Sequence, residues 1–260
     1  MARKPTISPT KITTYLACPV KYKWTYVDPR GKWFMRAKSY YSFGSSLHSV
    51  LQRFHDEGDK GVQTKEQALA KLAENWVTAG YATPEEAAEA LAEGRELIAG
   101  YVDAQAERPP GIQTIFLEKQ LRDDLGEFVL IGRVDRVDEL EDGSLEIIDY
   151  KSGRDATEPD ELRDDIAMNC YQLLVRSKMP GKRVLSTVIA LRTQSSTTVE
   201  PSEEEVEQFK QDLLALAGEI LSRDYENLVP TVKEICPECD FLPLCRRNEE
   251  FAEEYEPREG

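Results

Sequence analysis

The 260-residue sequence predicts an α/β fold in which a small mixed β-sheet is flanked by helices. Two observations predict it. Segments rich in β-branched residues with alternating polarity occur in the middle of the chain, and segments with helical periodicity surround them. Three central segments separated by short turns predict a three-stranded meander, and a further strand follows a helix. Helices before and after such a sheet are typical of α/β and α+β proteins.

The chain before the sheet is predicted to be helical. Ser8 followed by Pro9 marks the start of the first helix, because a serine side chain caps a helix and proline fits its first turn. Gly44 precedes the second helix, and alanine- and glutamate-rich segments predict two more. These helices are expected at 8–26, 45–55, 64–79 and 84–107.

The sheet and the rest of the chain follow from the same patterns. The meander is expected at 112–121, 127–139 and 144–151, and the fourth strand at 183–192. Further helices are expected at 163–177 and 202–223. We expect a single domain over 1–260, divided into a basic aromatic segment (1–43), a helical segment (44–110), a core (111–229) and a C-terminal tail (230–260).

Composition excludes several classes of protein. The chain has 33 lysines and arginines against 48 acidic residues, a net charge of −15, and 40% of its residues are hydrophobic. These values predict a soluble globular protein rather than a disordered or collagen-like one. No apolar run approaches the length of a membrane span, and no signal peptide develops at the N-terminus, so we expect a cytoplasmic protein without membrane contact. Five cysteines in that reducing compartment are not expected to form disulfides.

Charge is distributed unevenly along the chain. Residues 1–40 hold nine lysines and arginines against Asp28 alone, a net charge of +8. Aromatic residues alternate with these cations, as at Lys21, Lys23 and Trp24. Cations contact phosphates and aromatic rings stack on bases, so the pattern suits a path for single-stranded nucleic acid. The alternative is a solvated face with aromatic side chains in the core.

Ionisable residues interrupt the predicted meander. Asp149 and Lys151 are two positions apart, so a strand points both side chains the same way. A three-residue loop, Glu141-Asp142-Gly143, places Asp135 opposite Asp149 on the neighbouring strand, whereas a two-residue loop would put Asp135 on the opposite face. Facing carboxylates repel each other unless a divalent cation lies between them, and such ligands suit Mg²⁺ or Mn²⁺. The alternative is a surface strand with ordinary salt bridges.

The segments Gly132-Arg133-Val134-Asp135 and Ile147-Ile148-Asp149-Tyr150-Lys151-Ser152-Gly153 resemble the core motifs of the PD-(D/E)XK nucleases, in particular the RecB-like exonuclease branch. The resemblance implies a restriction-endonuclease-like core with a helical N-terminal insertion, and catalytic roles for Asp135, Asp149 and Lys151. Gly44-Ser45-Ser46-Leu47-His48 matches the helix upstream of that core. The implied metal ligands are His48, Asp135, Asp149 and the Tyr150 carbonyl, and Arg133 is an expected nucleic-acid contact.

Three further residues are weaker candidates for the same site. Glu118 matches an acidic position that is often present in this branch. The branch has a glutamine, followed four residues later by a tyrosine, on the helix after the lysine strand. This chain departs from that pattern, which leaves Asn169 and Gln172 as the candidate amides.

A second set of chemical residues lies at the two ends of the chain. Cys236, Cys239 and Cys245 form a C-x2-C-x5-C pattern, and Cys18 precedes a proline near the N-terminus. Spacing alone leaves zinc and a [4Fe-4S] cluster open. A subset of RecB-like nucleases, including the AddB nuclease domain and a CRISPR adaptation nuclease, has cysteines in a similar arrangement, and this resemblance implies a [4Fe-4S] cluster that links the termini. Cys170 is expected to be a buried core residue.

The function predicted from these features is a Mg²⁺- or Mn²⁺-dependent DNA exonuclease that acts on single-stranded ends. The chain has no phosphate-binding loop of the helicase kind, so possible partners are proteins of a recombination, repair or CRISPR adaptation machine. One alternative is a non-catalytic DNA-end-binding or adaptor protein that keeps the fold and the cluster. Another is a protein-interaction module held together by zinc.

Overall fold

The computed structural model describes residues 4–56, 62–105, 111–153 and 156–256. Their sheet has six strands, which are β1 (Thr6–Ile7), β2 (Gln113–Asp124), β3 (Val129–Glu139), β4 (Leu145–Lys151), β5 (Val184–Ala190) and β6 (Ser195–Val199). The order is β1-β3-β4-β5-β6, and β2 lies off this path and also pairs with β3. Pairings of β1 with β3 and of β4 with β5 are parallel and the others are antiparallel. The predicted mixed α/β sheet is confirmed, with β1 and β6 in addition to the four predicted strands.

The turn between β3 and β4 has the predicted form. Gly143 has a φ of 78°, and the Leu140 backbone N–H donates to the Ser144 carbonyl at 2.9 Å. Pairing runs from Glu139 opposite Leu145 to Arg136 opposite Ile148. This is the register of the three-residue loop, and glycine supplies the left-handed conformation that the loop requires.

Helices precede the sheet and follow its strands. The N-terminal half contains α1 (Pro9–Ala17), α2 (Pro19–Tyr22), a π-helical turn (Lys23–Val27), a 3₁₀ turn (Pro29–Trp33), α3 (Ser39–His55), α4 (Lys65–Glu74) and α5 (Pro84–Gln105). The C-terminal half contains α6 (Pro159–Arg163), α7 (Ile166–Lys178), α8 (Glu203–Ser222), a 3₁₀ turn (Cys236–Glu238), α9 (Leu242–Cys245) and α10 (Glu249–Glu254). The last two residues predicted for the helix 84–107 lie outside the described residues.

The continuous helix predicted over 8–26 is wrong. The chain breaks at Cys18, which has φ −166° and ψ 116° and separates α1 from α2. The physical reason is Pro19, whose ring disfavours helical backbone at the residue before it. Cys18 therefore lies in an extended link between two helices rather than on a helix face.

Two hydrophobic cores lie on the two sides of the sheet. Ile147 belongs to the core that contains residues of α1, α7 and α8, and its neighbour Ile148 belongs to the core formed with α3, α4 and α5. Successive residues of a strand point to opposite faces, so β4 is buried on both sides. In the described part of the chain, no helix is both long and apolar enough to cross a membrane.

Candidate functional site

Three ligand atoms converge where α3 crosses β2 and β3. His48 Nδ1 lies 3.3 Å from Asp135 Oδ1 and 3.6 Å from Glu118 Oε1. All three ligand atoms lie within 4.8 Å of one another. A histidine nitrogen and two carboxylate oxygens are a donor set for Mg²⁺ or Mn²⁺. We call His48, Glu118 and Asp135 the acidic triad.

β4 fixes the orientation of the acidic triad through the backbone of one residue. The Tyr150 carbonyl lies 3.1 Å from His48 Nε2, and the Tyr150 N–H donates to Asp135 Oδ2 at 3.0 Å. When Nε2–H donates to the Tyr150 carbonyl, Nδ1 faces Glu118 and Asp135, and in the metal-free protein Nδ1 carries the second proton and donates to these carboxylates. The sequence resemblance implies the Tyr150 carbonyl as a metal ligand, and this carbonyl lies against His48 at the edge of the acidic triad.

Glu118 reaches the site from an irregular strand. Its neighbours pair as Leu117 with Arg136 and Lys119 with Val134, which places Glu118 opposite Asp135. Its φ is 45°, in the left-handed region that a non-glycine residue enters only at a cost. Arg133 Nε forms an ion pair with Glu118 Oε2 at 2.6 Å, and the Arg133 side chain is 64% exposed. No local sequence pattern indicates this backbone conformation, and the only sequence signal for Glu118 is the acidic position it matches in the family.

Asp149 and Lys151 lie beside the acidic triad. Lys151 Nζ is 2.7 Å from Asp149 Oδ2, as the two-residue spacing predicted. Burial and then the negative charge of Asp135 raise the pKa of Asp149 to about 6. The two carboxylates therefore lie close enough to interact, which agrees with the register of β3 and β4.

The carboxylates also act on His48. Burial lowers the pKa of His48, but hydrogen bonds to Asp135 and Glu118 and the nearby Asp149 outweigh it and raise the pKa to about 10. Without a metal ion, the His48 side chain is therefore a positively charged imidazolium at neutral pH. A metal ion bound among these carboxylates would replace the imidazolium as the positive charge that offsets them.

A buried polar network lies behind Tyr150. Arg136 Nη1 donates to the hydroxyls of Tyr101 and Tyr150, at 2.8 Å each, and the Tyr101 hydroxyl is 2.5 Å from His55 Nε2. Arg136 Nε lies 3.2 Å from Asp138 Oδ2. The network holds the Tyr150 side chain while its backbone holds the acidic triad. Sequence reasoning missed it, although Arg136 and Asp138 are charged residues in a strand that should be apolar.

The site opens into a cleft of about 1210 Å³. His48, Glu118, Arg133 and Lys151 line it, and so does Arg192, whose Nε donates to the Ser152 carbonyl at 2.8 Å and whose Nη1 pairs with Glu93. The other walls come from the start of α3 and from α5. The cleft therefore joins the acidic triad to three cationic side chains.

The candidate amides have partners elsewhere in the molecule. Gln172 is 1% exposed, its amide nitrogen donates to the Val184 carbonyl and Ser186, and its oxygen accepts from Arg176. Asn169 donates to the Arg163 carbonyl at 2.6 Å and lines a separate surface pocket. Tyr171 of α7 lies near the site, where burial and then the charges of Asp149 and Asp135 raise its pKa well above the usual value.

The predicted nucleic-acid residues of the N-terminal segment lie beside the C-terminal tail. The Trp24 ring packs between Lys23 Nζ, 5.3 Å from its centroid, and Arg30, 5.5 Å from it. Lys23 Nζ is 3.5 Å from the Glu226 carbonyl, and burial raises the pKa of Cys239 although the nearby charge of Lys21 opposes this shift. Of the four predicted contacts, Arg133 lines the cleft, and the other three lie on this neighbouring segment.

The four cysteines of the termini lie in one region. Burial raises the pKa of Cys245 to about 12, with contributions from Cys239, Cys18 and Cys236. The Lys233 N–H donates to Cys236 Sγ at 3.3 Å. Among the described residues, no three of these four thiol sulfurs lie within 4.8 Å of one another. Cys170 is fully buried in the first core, as predicted.

Comparison with known proteins finds one matching family and similar solved structures. The sequence profile described as the PD-(D/E)XK nuclease superfamily matches residues 6–246. The crystal structure of SSO0001 is 14% identical, with a TM-score of 0.38, over 95% of this chain and 88% of that chain. A crystal structure from Eubacterium rectale, named as a candidate exonuclease, is 12% identical, with a TM-score of 0.39, over 81% of this chain and 91% of that chain. No curated protein matches the chain.

Proposed function

Because the chain belongs to the PD-(D/E)XK nuclease superfamily, we propose that it is a metal-dependent DNA nuclease that removes nucleotides from single-stranded ends. The observation that carries the proposal is the acidic triad, of which His48 and Glu118 line the cleft, with the ion pair of Lys151 and Asp149 beside it. A phosphodiester at this position would meet cations and a candidate metal site together.

The residues present fit a divalent cation. His48, Glu118 and Asp135 offer one nitrogen and two carboxylate oxygens, and Asp149 is a fourth candidate ligand on the neighbouring strand. A bound divalent ion supplies Lewis-acid stabilisation of the charge that builds on the phosphate. Tyr150 has a positioning role, because its backbone N–H and carbonyl orient Asp135 and His48.

Lys151 acts on the attacking water and on the phosphate. Its side chain is 25% exposed, and its ammonium nitrogen lies 2.7 Å from Asp149 Oδ2. From this place Lys151 donates a hydrogen bond to a phosphate oxygen and orients the water that attacks phosphorus, as the bond from phosphorus to the leaving 3′ oxygen breaks. Arg133 and Arg192 at the cleft walls neutralise the neighbouring phosphates.

Single-stranded DNA is the substrate that the N-terminal segment suits best. Residues 1–40 carry a net charge of +8 in a chain of net charge −15, so polyanions are attracted locally and repelled elsewhere. Lys21, Lys23 and Trp24 offer phosphate contacts and a base-stacking ring on this segment. We further propose that the protein works in the cytoplasm and prepares DNA ends for a recombination, repair or CRISPR adaptation machine.

We also propose that Cys18, Cys236, Cys239 and Cys245 hold a [4Fe-4S] cluster. The C-x2-C-x5-C spacing supports it, and so does the N–H donated to Cys236 Sγ, since such bonds stabilise metal-bound thiolates. The visible spectrum and iron content of anaerobically purified protein test this proposal. Broad absorption near 400 nm with about four iron atoms per chain is expected, and stoichiometric zinc without colour would replace the cluster by a zinc site.

Linear and circular single strands of the same sequence test the proposed activity. The protein is incubated with each in Mn²⁺, and a parallel reaction contains EDTA. An exonuclease shortens the linear strand progressively in Mn²⁺ and leaves the circle intact. Equal cleavage of both would indicate an endonuclease, and binding of linear ends without cleavage would indicate the non-catalytic end-binding protein.

A further inference from the structure

Two exposed tyrosines stand at the mouth of the cleft. Tyr40 and Tyr41 are 60% and 68% exposed, and both line the same cleft as His48 and Glu118 of the acidic triad. Their rings pack on each other with centroids 4.4 Å apart and planes inclined at 48°. We propose that Tyr40 and Tyr41 form a base-stacking platform that selects unpaired nucleotides next to the scissile phosphate, an inference that rests on the proposed nuclease function.

The platform and the candidate metal site lie on one helix. Tyr41, Ser45 and His48 follow each other at helical spacing on α3, and all three line the cleft. The rise from Tyr41 to His48 is about 10 Å along the helix axis. One or two nucleotides of an extended strand span this distance, so a base on the platform belongs to a nucleotide close to the reacting phosphate.

The surroundings of the two rings suit a nucleotide. The small side chains of Ser39, Ser45 and Ser49 line the cleft with the two rings, and Arg133 and Arg192 line it as well. Exposed aromatic rings together with cations are the arrangement that proteins use to bind single strands without sequence preference. A paired base is already stacked in its duplex and cannot occupy the platform without being unstacked.

The C-terminal tail fixes the start of this helix. Lys38, the residue before α3, forms an ion pair with Asp240 at 2.9 Å, and the Arg36 N–H donates to the same carboxylate at 3.2 Å. Partial burial, then Tyr41 and the nearby Asp240, raise the pKa of Tyr40 to about 12. A tyrosine phenol is neutral at physiological pH with or without this shift, so it does not repel the phosphates.

Binding of single strands in EDTA tests the platform without cleavage. Fluorescence anisotropy compares the wild type, Tyr40→Ala/Tyr41→Ala and Tyr40→Phe/Tyr41→Phe on an intact strand and on a strand with a run of abasic sites near its end. The alanine pair is expected to weaken binding of the intact strand about tenfold or more and to leave binding of the abasic strand unchanged. The phenylalanine pair keeps both rings and should bind like the wild type.

The outcomes separate this inference from the proposed function. An alanine pair that melts like the wild type and also binds the intact strand like the wild type overturns the platform. Equal weakening on intact and abasic strands overturns it too, because the rings would then not contact bases. A wild type that neither binds nor cleaves any single strand overturns the proposed function, and the platform with it.

Discussion

Glu118 lies opposite Asp135 in the register of β2 and β3, and it reaches the acidic triad from a backbone with a φ of 45°. In a strand, an ordinary extended residue would be more stable. The left-handed conformation costs a non-glycine residue about 1 to 2 kcal/mol. We infer that the site keeps this conformation because it directs the carboxylate at His48.

Two substitutions at Glu118 separate backbone strain from side-chain chemistry. Glu118→Ala and Glu118→Gly both remove the carboxylate, so both should lose most cleavage activity. Glycine adopts positive φ without strain, so Glu118→Gly should be about 1 kcal/mol more stable than Glu118→Ala in urea unfolding. Glycine normally weakens a strand relative to alanine. A Glu118→Ala variant that is the more stable of the two would contradict the assigned strain.

His48 makes the stability of the metal-free protein depend on pH. Its pKa rises from an ordinary value near 6.5 to about 10 in the folded state, because Asp135 and Glu118 stabilise the imidazolium against the opposing effect of burial. A raised pKa contributes stability that is complete below pH 6.5 and is lost as the pH rises toward 10. Urea unfolding in EDTA should show the wild type losing more than about 1 kcal/mol over this range relative to His48→Asn. Parallel curves for the two proteins would show that His48 is not held by these carboxylates.

The Tyr101 hydroxyl is predicted to be important for stability. It contacts Arg136, His55 and Tyr150 in the buried network. Tyr101→Phe leaves these partners with one contact fewer and should lower the free energy of unfolding by about 1 to 3 kcal/mol. Tyr81→Phe is the matched control, because the buried Tyr81 hydroxyl has no hydrogen-bond partner among the described residues and its removal should be neutral. Equal effects of the two changes would argue against the network.

The proposed [4Fe-4S] cluster at Cys18, Cys236, Cys239 and Cys245, here called the cysteine centre, is predicted to stabilise the protein. It would do so by joining distant parts of the chain. Cys18 and Cys236 are 218 positions apart, and closing a loop of this length contributes about 5 kcal/mol in the cross-link model. Cys18→Ser should remove the chromophore and lower the melting temperature by several degrees. The loss should be smaller than the full loop term, because Lys38–Asp240 and the Tyr22–Tyr225 stack keep the segments in contact. Cys170→Ala should keep the chromophore, and colour that survives Cys18→Ser would remove Cys18 from the centre.

The sequence predicted the parts of the site that depend on local rules. Gly143 in a three-residue loop determines the register of β3 and β4, and strand periodicity places Lys151 beside Asp149. The break at Cys18 also had a local signal in Pro19, but helical periodicity on both sides concealed it. β6 escaped prediction because its sequence, SSTTV, has few apolar residues, and it is the pairing with β5 that makes it a strand.

Other features depend on contacts that no local pattern encodes. The positive φ of Glu118 arises where two strands and α3 meet. Gln172 looked like a candidate amide, but Val184 and Ser186 on the neighbouring strand β5 engage it. Tyr40 and Tyr41 lie in the basic aromatic segment 1–43, where no local pattern distinguishes them from its other aromatic residues. It is the packing of α3 that brings them to the cleft.

The most direct test of the acidic triad is the rate at which Asp135→Asn degrades an end-labelled linear single strand in Mn²⁺. The asparagine oxygen can still accept the Tyr150 N–H, so the fold and the cysteine centre should be preserved. We predict progressive shortening by the wild type and a loss of at least a hundredfold in the variant, because a charged metal ligand is gone. A correctly folded Asp135→Asn protein that degrades the strand at the wild-type rate would contradict the assignment of this site as the catalytic centre.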